Sequence, residues 1–164
     1  MDTQLLLDAR RLVENVTPLR TDCGLNCGRA CCAPDEDGQG GVYLFPGEEA
    51  LLSGVSWARI EPRSALPGAP MLVCNGSCAR RDRPLGCRIF PLTPVWRGDG
   101  RLTVKMDRRA FAMCPLARHG IKGLSPEFVS AVREALRLIE SDAQGAAFLR
   151  AWAALEARYG QWTL

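Results

Sequence analysis

Histidine and lysine are scarce in this chain, and long apolar runs are missing. The 164 residues contain one histidine and two lysines, against 19 arginines. No stretch approaches the roughly 18 apolar residues that a membrane-spanning helix requires. The leucines at 5–7 are too short a run for the apolar core of a secretory signal, and no cleavage site follows them. We therefore expect a cytoplasmic protein that makes no membrane contact.

The charge balance argues against nucleic-acid binding. The formal net charge is +3, and the arginines are scattered along the chain. A nucleic-acid binder typically shows a stronger basic stripe, together with aromatic residues for stacking on bases. The composition, with 47% hydrophobic and 24% charged residues, is typical of a globular protein. The length fits one domain, 1–164, with enough residues to bury a core.

Cysteine is the residue type that this chain has in excess. Eight cysteines form the pattern C-x3-C-x3-C-C, then C-x3-C-x8-C, then one more: Cys23, Cys27, Cys31 and Cys32; Cys74, Cys78 and Cys87; and Cys114. A lone buried cysteine acts as a small hydrophobic residue. Dense groups flanked by glycine and arginine do not fit that role.

Disulfides and metal ligation are the two remaining explanations for the cysteines. Four disulfides are not expected in a reducing cytoplasm, and a bridge between the adjacent Cys31 and Cys32 would be strained. Thiolates are soft ligands that select zinc, copper(I) or iron–sulfur clusters. Because only one histidine is available, such a site must be all-sulfur or nearly so. The pattern therefore favours metal binding over disulfides.

The spacing also bears on the kind of metal site. Structural zinc ribbons use C-x2-C pairs, and the sequence has none. The adjacent Cys31 and Cys32 cannot easily chelate one tetrahedral ion, but they can serve two neighbouring metals or one larger cluster. Four thiolates leave a zinc ion or a [4Fe–4S] cluster with negative charge. Five arginines are candidates to offset this charge: Arg29, Arg80, Arg81, Arg83 and Arg88.

Hydrophobic periodicity predicts an α+β fold with a small irregular core. Apolar spacing indicates helices at 3–16, from Ser125 onward and at 142–159. A short helix at 46–54 is indicated by a proline at its start and by Glu48 and Glu49 in its first turn. A Gly-Asp-Gly-Arg turn predicts a hairpin that pairs 94–97 with 102–106. We expect a metal-binding core at 20–116 with short strands, flanked by an N-terminal helix and by a C-terminal helical hairpin at 117–164.

The cysteine pattern resembles the YkgJ-type cysteine-cluster family. The likeness covers residues 20–116 and includes the stretch Arg83–Pro91 (RPLGCRIFP) and the pair Cys114-Pro115. That family is described as a zinc- or iron-chelating domain with eight cysteines. The resemblance implies that all eight cysteines of this chain are metal ligands. It implies zinc ions or an iron–sulfur cluster as the cofactor.

Three functions stay open at this stage. The first is a cytoplasmic metal-binding protein whose reaction is unassigned. The second is an iron–sulfur-dependent, protein-modifying enzyme, because a flagellin lysine methylase carries a similar cysteine cluster. The third is a redox or metal-handling module. The sequence contains neither a glycine-rich nucleotide loop nor a radical-enzyme C-x3-C-x2-C motif, so whether the protein is an enzyme is left open, and its protein partner is unknown.

Two structural expectations follow from metal binding. The two cysteine groups should converge in space, although more than forty residues separate Cys32 from Cys74. We expect Arg83 and Arg88 to lie next to the cysteine ligands and to interact with them rather than with the metal. In particular, we expect the Arg88 guanidinium to donate hydrogen bonds to a thiolate sulfur or to a loop carbonyl and so orient the ligands. The competing interpretation is a surface ion pair between Arg88 and Asp82, which would contribute little.

Overall fold

The computed structural model describes residues 1–33, 41–62, 64–76 and 78–160. It mixes helices with small antiparallel sheets, which confirms the predicted α+β class. In chain order the elements are α1 (Thr3–Leu12), α2 (Gly24–Cys27), β1 (Val42–Tyr43), α3 (Glu48–Leu51), β2 (Ala58–Glu61), β3 (Met71–Cys74), α4 (Leu85–Ile89), β4 (Leu92–Trp96), β5 (Leu102–Met106), α5 (Ala110–Met113), α6 (Pro126–Glu140) and α7 (Ala143–Gly160). In the described parts of the chain, no helix is both long and apolar enough to cross a membrane.

Helix α1 begins where the sequence predicts but ends four residues early. The Asp2 side chain accepts a hydrogen bond from the Gln4 N–H and caps the first turn, as expected of aspartate at a helix start. Leu6 and Ala9 face the core and are buried. The predicted helix extended to residue 16, whereas the helix ends at Leu12.

The strands form two separate antiparallel sheets. Strand β3 is central in the first sheet, with β1 on one side and β2 on the other. Strands β4 and β5 form the second, a hairpin in which Leu92 lies opposite Met106 and Trp96 opposite Leu102. This hairpin was predicted, although β4 begins two residues earlier than the pattern indicated. The pairing of β2 with β3 was not predicted.

The main hydrophobic core lies between the long helices and the hairpin. Helix α6 packs on α1, on β5 and on α7, so the C-terminal helices are part of the common core. Its apolar side is buried through Phe128, Val132 and Leu136. Helix α7 contributes Trp152, whose ring lies 5.9 Å from that of Phe45. Such edge-to-face contacts add to the stability that comes from apolar burial.

A second, smaller cluster of buried residues lies beside the cysteines. It consists of Val42, Leu44, Leu52 and Leu72, and the partly buried Trp57 and Cys74 pack against it. Helix α4 packs closely against β1 at Gly86. A Cβ atom at this position would lie only 2.3 Å from Val42 Cγ2. Glycine at this position therefore permits the approach of the cysteine-bearing helix to the sheet.

Candidate metal centre

The first cysteine group is carried by two short helical turns joined by left-handed residues. Helix α2 ends at Cys27 and is followed by Gly28 and Arg29, both with φ of 60°. Residues with positive φ stop a helix and redirect the chain. A 3-10 turn, Ala30–Cys32, follows at once. The sharp change of direction lets cysteines on both turns face one region, as the prediction of a common site requires.

The second cysteine group lies directly against the first. Cys74 ends β3, and its thiol donates a hydrogen bond to the carbonyl oxygen of Cys32 at 3.7 Å. Gly76 follows with a φ of 91°, and a Cβ atom there would lie 3.5 Å from the same carbonyl oxygen. Segments 42 residues apart in sequence are thus in contact. This contact agrees with the expected convergence of the two groups.

Helix α4 adds Cys87 to this neighbourhood. Burial among protein atoms raises the pKa of the Cys87 thiol, and the nearby thiols of Cys32, Cys74 and Cys78 raise it further. The thiol nevertheless remains open to solvent, so protein atoms surround it without covering it. Four thiols from three separate segments therefore act on one another at this point.

A second neighbourhood forms around Cys23. Burial raises the pKa of the Cys23 thiol, and so do the thiols of Cys27 and Cys114 and the carboxylate of Asp22. Cys114 follows α5, which contacts the Ala30–Cys32 turn. The most distant cysteine in the sequence is therefore brought to the first group by the packing of α5.

Cys31, which precedes Cys32 in the chain, lies between the two neighbourhoods. A hydrogen bond between the two thiols lowers the pKa of Cys32 to about 6, and Arg83 and Arg29 favour its thiolate form. The same hydrogen bond raises the pKa of Cys31, as do burial and the thiols of Cys87 and Cys23. Cys31 thus interacts with members of both neighbourhoods. All eight cysteines are free thiols.

Arg83 lies beside the thiols of Cys32 and Cys78. Its guanidinium hydrogen-bonds the Cys78 thiol, and this bond, together with the charge on Arg83, opposes the rise in the pKa of Cys78 that burial causes. Burial lowers the pKa of Arg83 itself, but Cys32 and Cys78 act in the opposite direction and leave it raised. The position of Arg83 agrees with the expectation that a cation lies beside the thiols.

Arg88 binds backbone carbonyls. Its Nε donates to the Arg83 carbonyl at 2.8 Å, its Nη2 to the Arg81 carbonyl at 2.7 Å and its Nη1 to the Arg10 carbonyl at 3.3 Å. This is the loop-carbonyl alternative of the two that we predicted. The ion pair with Asp82 is made by Arg81, at 3.7 Å. Cys87 and Arg88 are both within the helical residues Leu85–Ile89.

Two further arginines connect the same loop to α1, a role that no sequence pattern indicated. Arg10 donates to the carbonyls of Arg81 and Arg83 at 3.4 and 3.2 Å. Arg80 donates to the carbonyls of Glu14 and Val16 at 2.9 and 2.6 Å. The carbonyls of Glu14 and Val16 lie just beyond the end of α1. These hydrogen bonds therefore hold the first part of the segment between Cys78 and Cys87, whereas the buried Leu85 anchors its end in the main core.

Glu48 is a buried carboxylate that organises the turn before Cys87. Its side chain is fully buried and accepts hydrogen bonds from the N–H groups of Phe45 and Leu85, at 3.2 and 2.6 Å. Arg10 approaches it at 3.4 Å. Burial raises the pKa of Glu48, whereas these donors oppose the rise. The pattern correctly placed Glu48 in a first helical turn, but charged residues there are usually exposed, so its burial was not foreseen.

Among the described residues, the thiols lie near one another but do not form a closed set of metal ligands. In residues 1–33, 41–62, 64–76 and 78–160, no three or more His, Cys, Asp or Glu side chains stand in the geometry of a ready-made metal site. The thiols are neighbours without being arranged as ligands of one ion.

Comparison with protein-family models, with curated proteins and with solved structures gave no match. The resemblance of the cysteine pattern to the YkgJ-type family therefore stays a prediction.

Proposed function

We propose that this chain is a metal-binding protein whose eight cysteines hold zinc or an iron–sulfur cluster in a reducing compartment such as the cytoplasm. The observation that carries the proposal is the contact between the two cysteine groups at Cys32. The Cys74 thiol donates to the Cys32 carbonyl, and Cys78 and Cys87 lie close enough to Cys32 for their charges to interact. Packing alone gives little reason to gather polar thiols from distant segments at a solvent-accessible place.

The donor set fits a soft metal. The ligands offered are free thiols, which bind zinc and iron–sulfur clusters as thiolates. Guanidinium groups next to sulfur, such as Arg83, offset the negative charge that several thiolates accumulate. When bound, the metal would supply the cross-links that this loop-rich region lacks, or an electron-transfer centre if it is an iron–sulfur cluster.

The two neighbourhoods suggest two sites. One comprises Cys32, Cys74, Cys78 and Cys87, and the other Cys23, Cys27 and Cys114, with Cys31 between them. Adjacent Cys31 and Cys32 then serve different sites, which avoids the strain of chelating one ion through neighbouring residues. In this arrangement each site has up to four thiolates, the number that zinc and [4Fe–4S] clusters use.

Metal and sulfide analysis of anaerobically purified protein tests the proposal. Broad visible absorption with iron and sulfide in equal amounts indicates a cluster, and colourless protein with stoichiometric zinc indicates the ion. In a two-site protein, Cys87→Ser and Cys114→Ser should each remove one site and leave the other. Ala112→Ser, which adds a hydroxyl near Cys114, is the matched control. Protein that carries no zinc, iron or other soft metal after anaerobic purification and reconstitution would contradict the proposal.

Access to two of the thiols favours a metal-handling role as the second candidate. Cys31 and Cys87 are exposed, whereas the other six cysteines are half-buried. An acceptor could reach these two thiols and exchange ligands. Rapid transfer of bound metal to a small-molecule chelator, slowed in Cys31→Ser, would favour this role. A bound metal that resists chelators for hours would favour a structural or electron-transfer centre instead.

A further inference from the structure

A cleft lined with arginine lies between the β4–β5 hairpin and α6 and shares no residue with the thiol region. Its volume is about 470 Å³, within the range of pockets that hold small molecules. Four arginines line it: Arg97 and Arg101 from the hairpin, and Arg133 and Arg137 from α6. Leu102, Thr103, Gly100 and Glu140 complete its wall.

The arginines are brought together in spite of their mutual repulsion. Arg133 and Arg137 are one helical turn apart on the same face of α6, an arrangement that is unfavourable for like charges. Arg97 and Arg101 face each other across the hairpin turn, where the Arg97 N–H donates to the Arg101 carbonyl at 3.0 Å. The fold therefore concentrates positive charge on both sides of one concave surface.

Carboxylates balance only part of this charge. Asp99 pairs with Arg101 at 2.7 Å, and Glu140 accepts a hydrogen bond from the Trp96 indole at 3.3 Å. Within the described ranges, Arg97, Arg133 and Arg137 have no carboxylate at ion-pair distance. The Nε of Arg133 is buried without a hydrogen-bond partner among those same residues. Four guanidinium groups against two carboxylates leave a surplus of two positive charges.

We propose that this cleft binds a small molecule that carries a diphosphate group. The guanidinium fork donates two parallel hydrogen bonds to phosphate oxygens, and guanidinium groups on both walls can hold two neighbouring phosphates. A diphosphate has at least the two negative charges that the surplus calls for. The cleft exceeds the size of diphosphate alone, and Leu102 offers an apolar contact for an organic group attached to it.

Isothermal titration calorimetry at low ionic strength, where exposed charges are least screened, tests the proposal. The probes are inorganic diphosphate, ADP, orthophosphate, citrate and adenosine. Diphosphate and ADP should bind, orthophosphate and citrate should bind about ten-fold more weakly or worse, and adenosine should not bind. Tighter binding of ADP than of diphosphate supports a site that also contacts the organic group. Equal binding supports recognition of the diphosphate alone.

Two variants distinguish diphosphate binding in the cleft from general attraction to the positive surface of the protein. Arg133→Gln combined with Arg137→Gln should weaken diphosphate binding by about ten-fold or more. Arg59→Gln, which removes an exposed arginine on β2, is the control and should leave binding within about two-fold. All three proteins keep the same cysteines, so heat from any metal extracted by diphosphate is common to them. Circular dichroism confirms that each variant is folded.

Three outcomes would overturn the inference. The first is the absence of binding heat at millimolar diphosphate. The second is an equal loss in Arg59→Gln and in the cleft variant. The third is binding of a single-stranded oligonucleotide through these arginines while diphosphate does not bind. None of them affects the proposed metal site, because no thiol takes part in the test.

Discussion

The thiol region and the helical core of this protein are held together in different ways. In the core, α1, α6 and α7 bury apolar side chains such as Phe128 and Trp152 almost completely. In the thiol region none of the eight cysteines is buried, and the loops are fixed by arginines that bind carbonyls and by Glu48. Apolar burial is non-directional, whereas hydrogen bonds depend on position. The thiol region should therefore be much more sensitive to single polar changes and to ligand removal.

Metal removal should separate the two regions most strongly. A chelator under reducing conditions should strongly reduce hydrogen-exchange protection at residues 23–32, 74–76 and 78–83, because ligation in the proposed site adds cross-links where apolar packing is sparse. Protection in α6 and α7 should persist, since their packing involves no thiol. Hydrogen exchange by mass spectrometry measures both regions at once. Equal protection with and without metal, or an unchanged melting temperature, would show that the metal is peripheral.

Replacement of Glu48 should give the next largest effect. Glu48→Ala leaves the buried N–H groups of Phe45 and Leu85 without an acceptor and removes the partner of Arg10. We expect a loss of about 3–5 kcal/mol in the free energy of unfolding, measured by urea denaturation. Glu49→Ala, on the same helix, should cost less than about 1 kcal/mol. Similar losses in both variants would mean that Glu48 is merely a helix residue.

Loss of Arg88 should have an intermediate effect that is directed at the metal site. Arg88→Ala removes three hydrogen bonds to backbone carbonyls and leaves Arg10 as the remaining donor to the Arg81 and Arg83 carbonyls, so the loop between Cys78 and Cys87 is held less firmly. We expect metal affinity to fall about ten-fold or more, measured by chelator competition.

Arg97→Ala in the hairpin is the control for Arg88 and should leave metal affinity unchanged. Equal metal retention by both variants would reduce Arg88 to a purely structural residue.

Glu156 should produce the smallest effect and a distinctive pH dependence. Burial raises its pKa, Asp107 adds to the rise, and Arg109, Lys105 and Arg108 oppose it. A carboxyl group with a raised folded-state pKa is more costly when ionised, so stability should fall as pH rises from the unfolded value of about 4.3 through the folded value. Glu156→Gln should remove this fall and stabilise the protein by roughly 0.5 kcal/mol near pH 8.

The pH measurements on Glu156→Gln need a control at an exposed glutamate. Glu134→Gln, at an exposed position on α6, is this control and should change the free energy of unfolding by less than about 0.5 kcal/mol. A Glu156→Gln curve parallel to that of the wild type would contradict the assignment.

The regular elements could be predicted because their residues repeat with helical or hairpin spacing. Helix α6 begins at Ser125–Pro126 as its cap and proline signals indicate, and the hairpin follows its glycine-containing turn. Helix α1 was predicted too long because Val13 and Val16 continue the apolar spacing. The carbonyls of Glu14 and Val16 are instead taken by Arg80, a contact from a residue 64 or more positions away that no local pattern contains.

The gathering of the cysteines could be predicted from the sequence, but the helix and the polar contacts that hold them in place could be predicted only in part. The dense cysteine groups indicated that thiols from distant segments lie near one another, whereas metal ligation by these thiols stays a prediction. The sequence pattern could not indicate that α4 is helical, because Gly86 and Pro91 both disfavour a helix there. The Leu85 N–H finds its acceptor in Glu48, 37 positions away in the sequence. Such long-range polar contacts depend on the finished fold.

The positions of Trp57 and Trp152 give each region its own optical reporter. Trp152 lies in the main core beside Phe45 and Phe148, whereas Trp57 packs on the small cluster that includes Cys74, and its carbonyl accepts a hydrogen bond from the Asn75 N–H. Emission from Trp57 should therefore change when nearby thiolates become ligated, while emission from Trp152 follows global unfolding. Because the sequence has four tryptophans, variants that keep Trp57 or Trp152 as their only tryptophan would let fluorescence follow metal loading and melting separately.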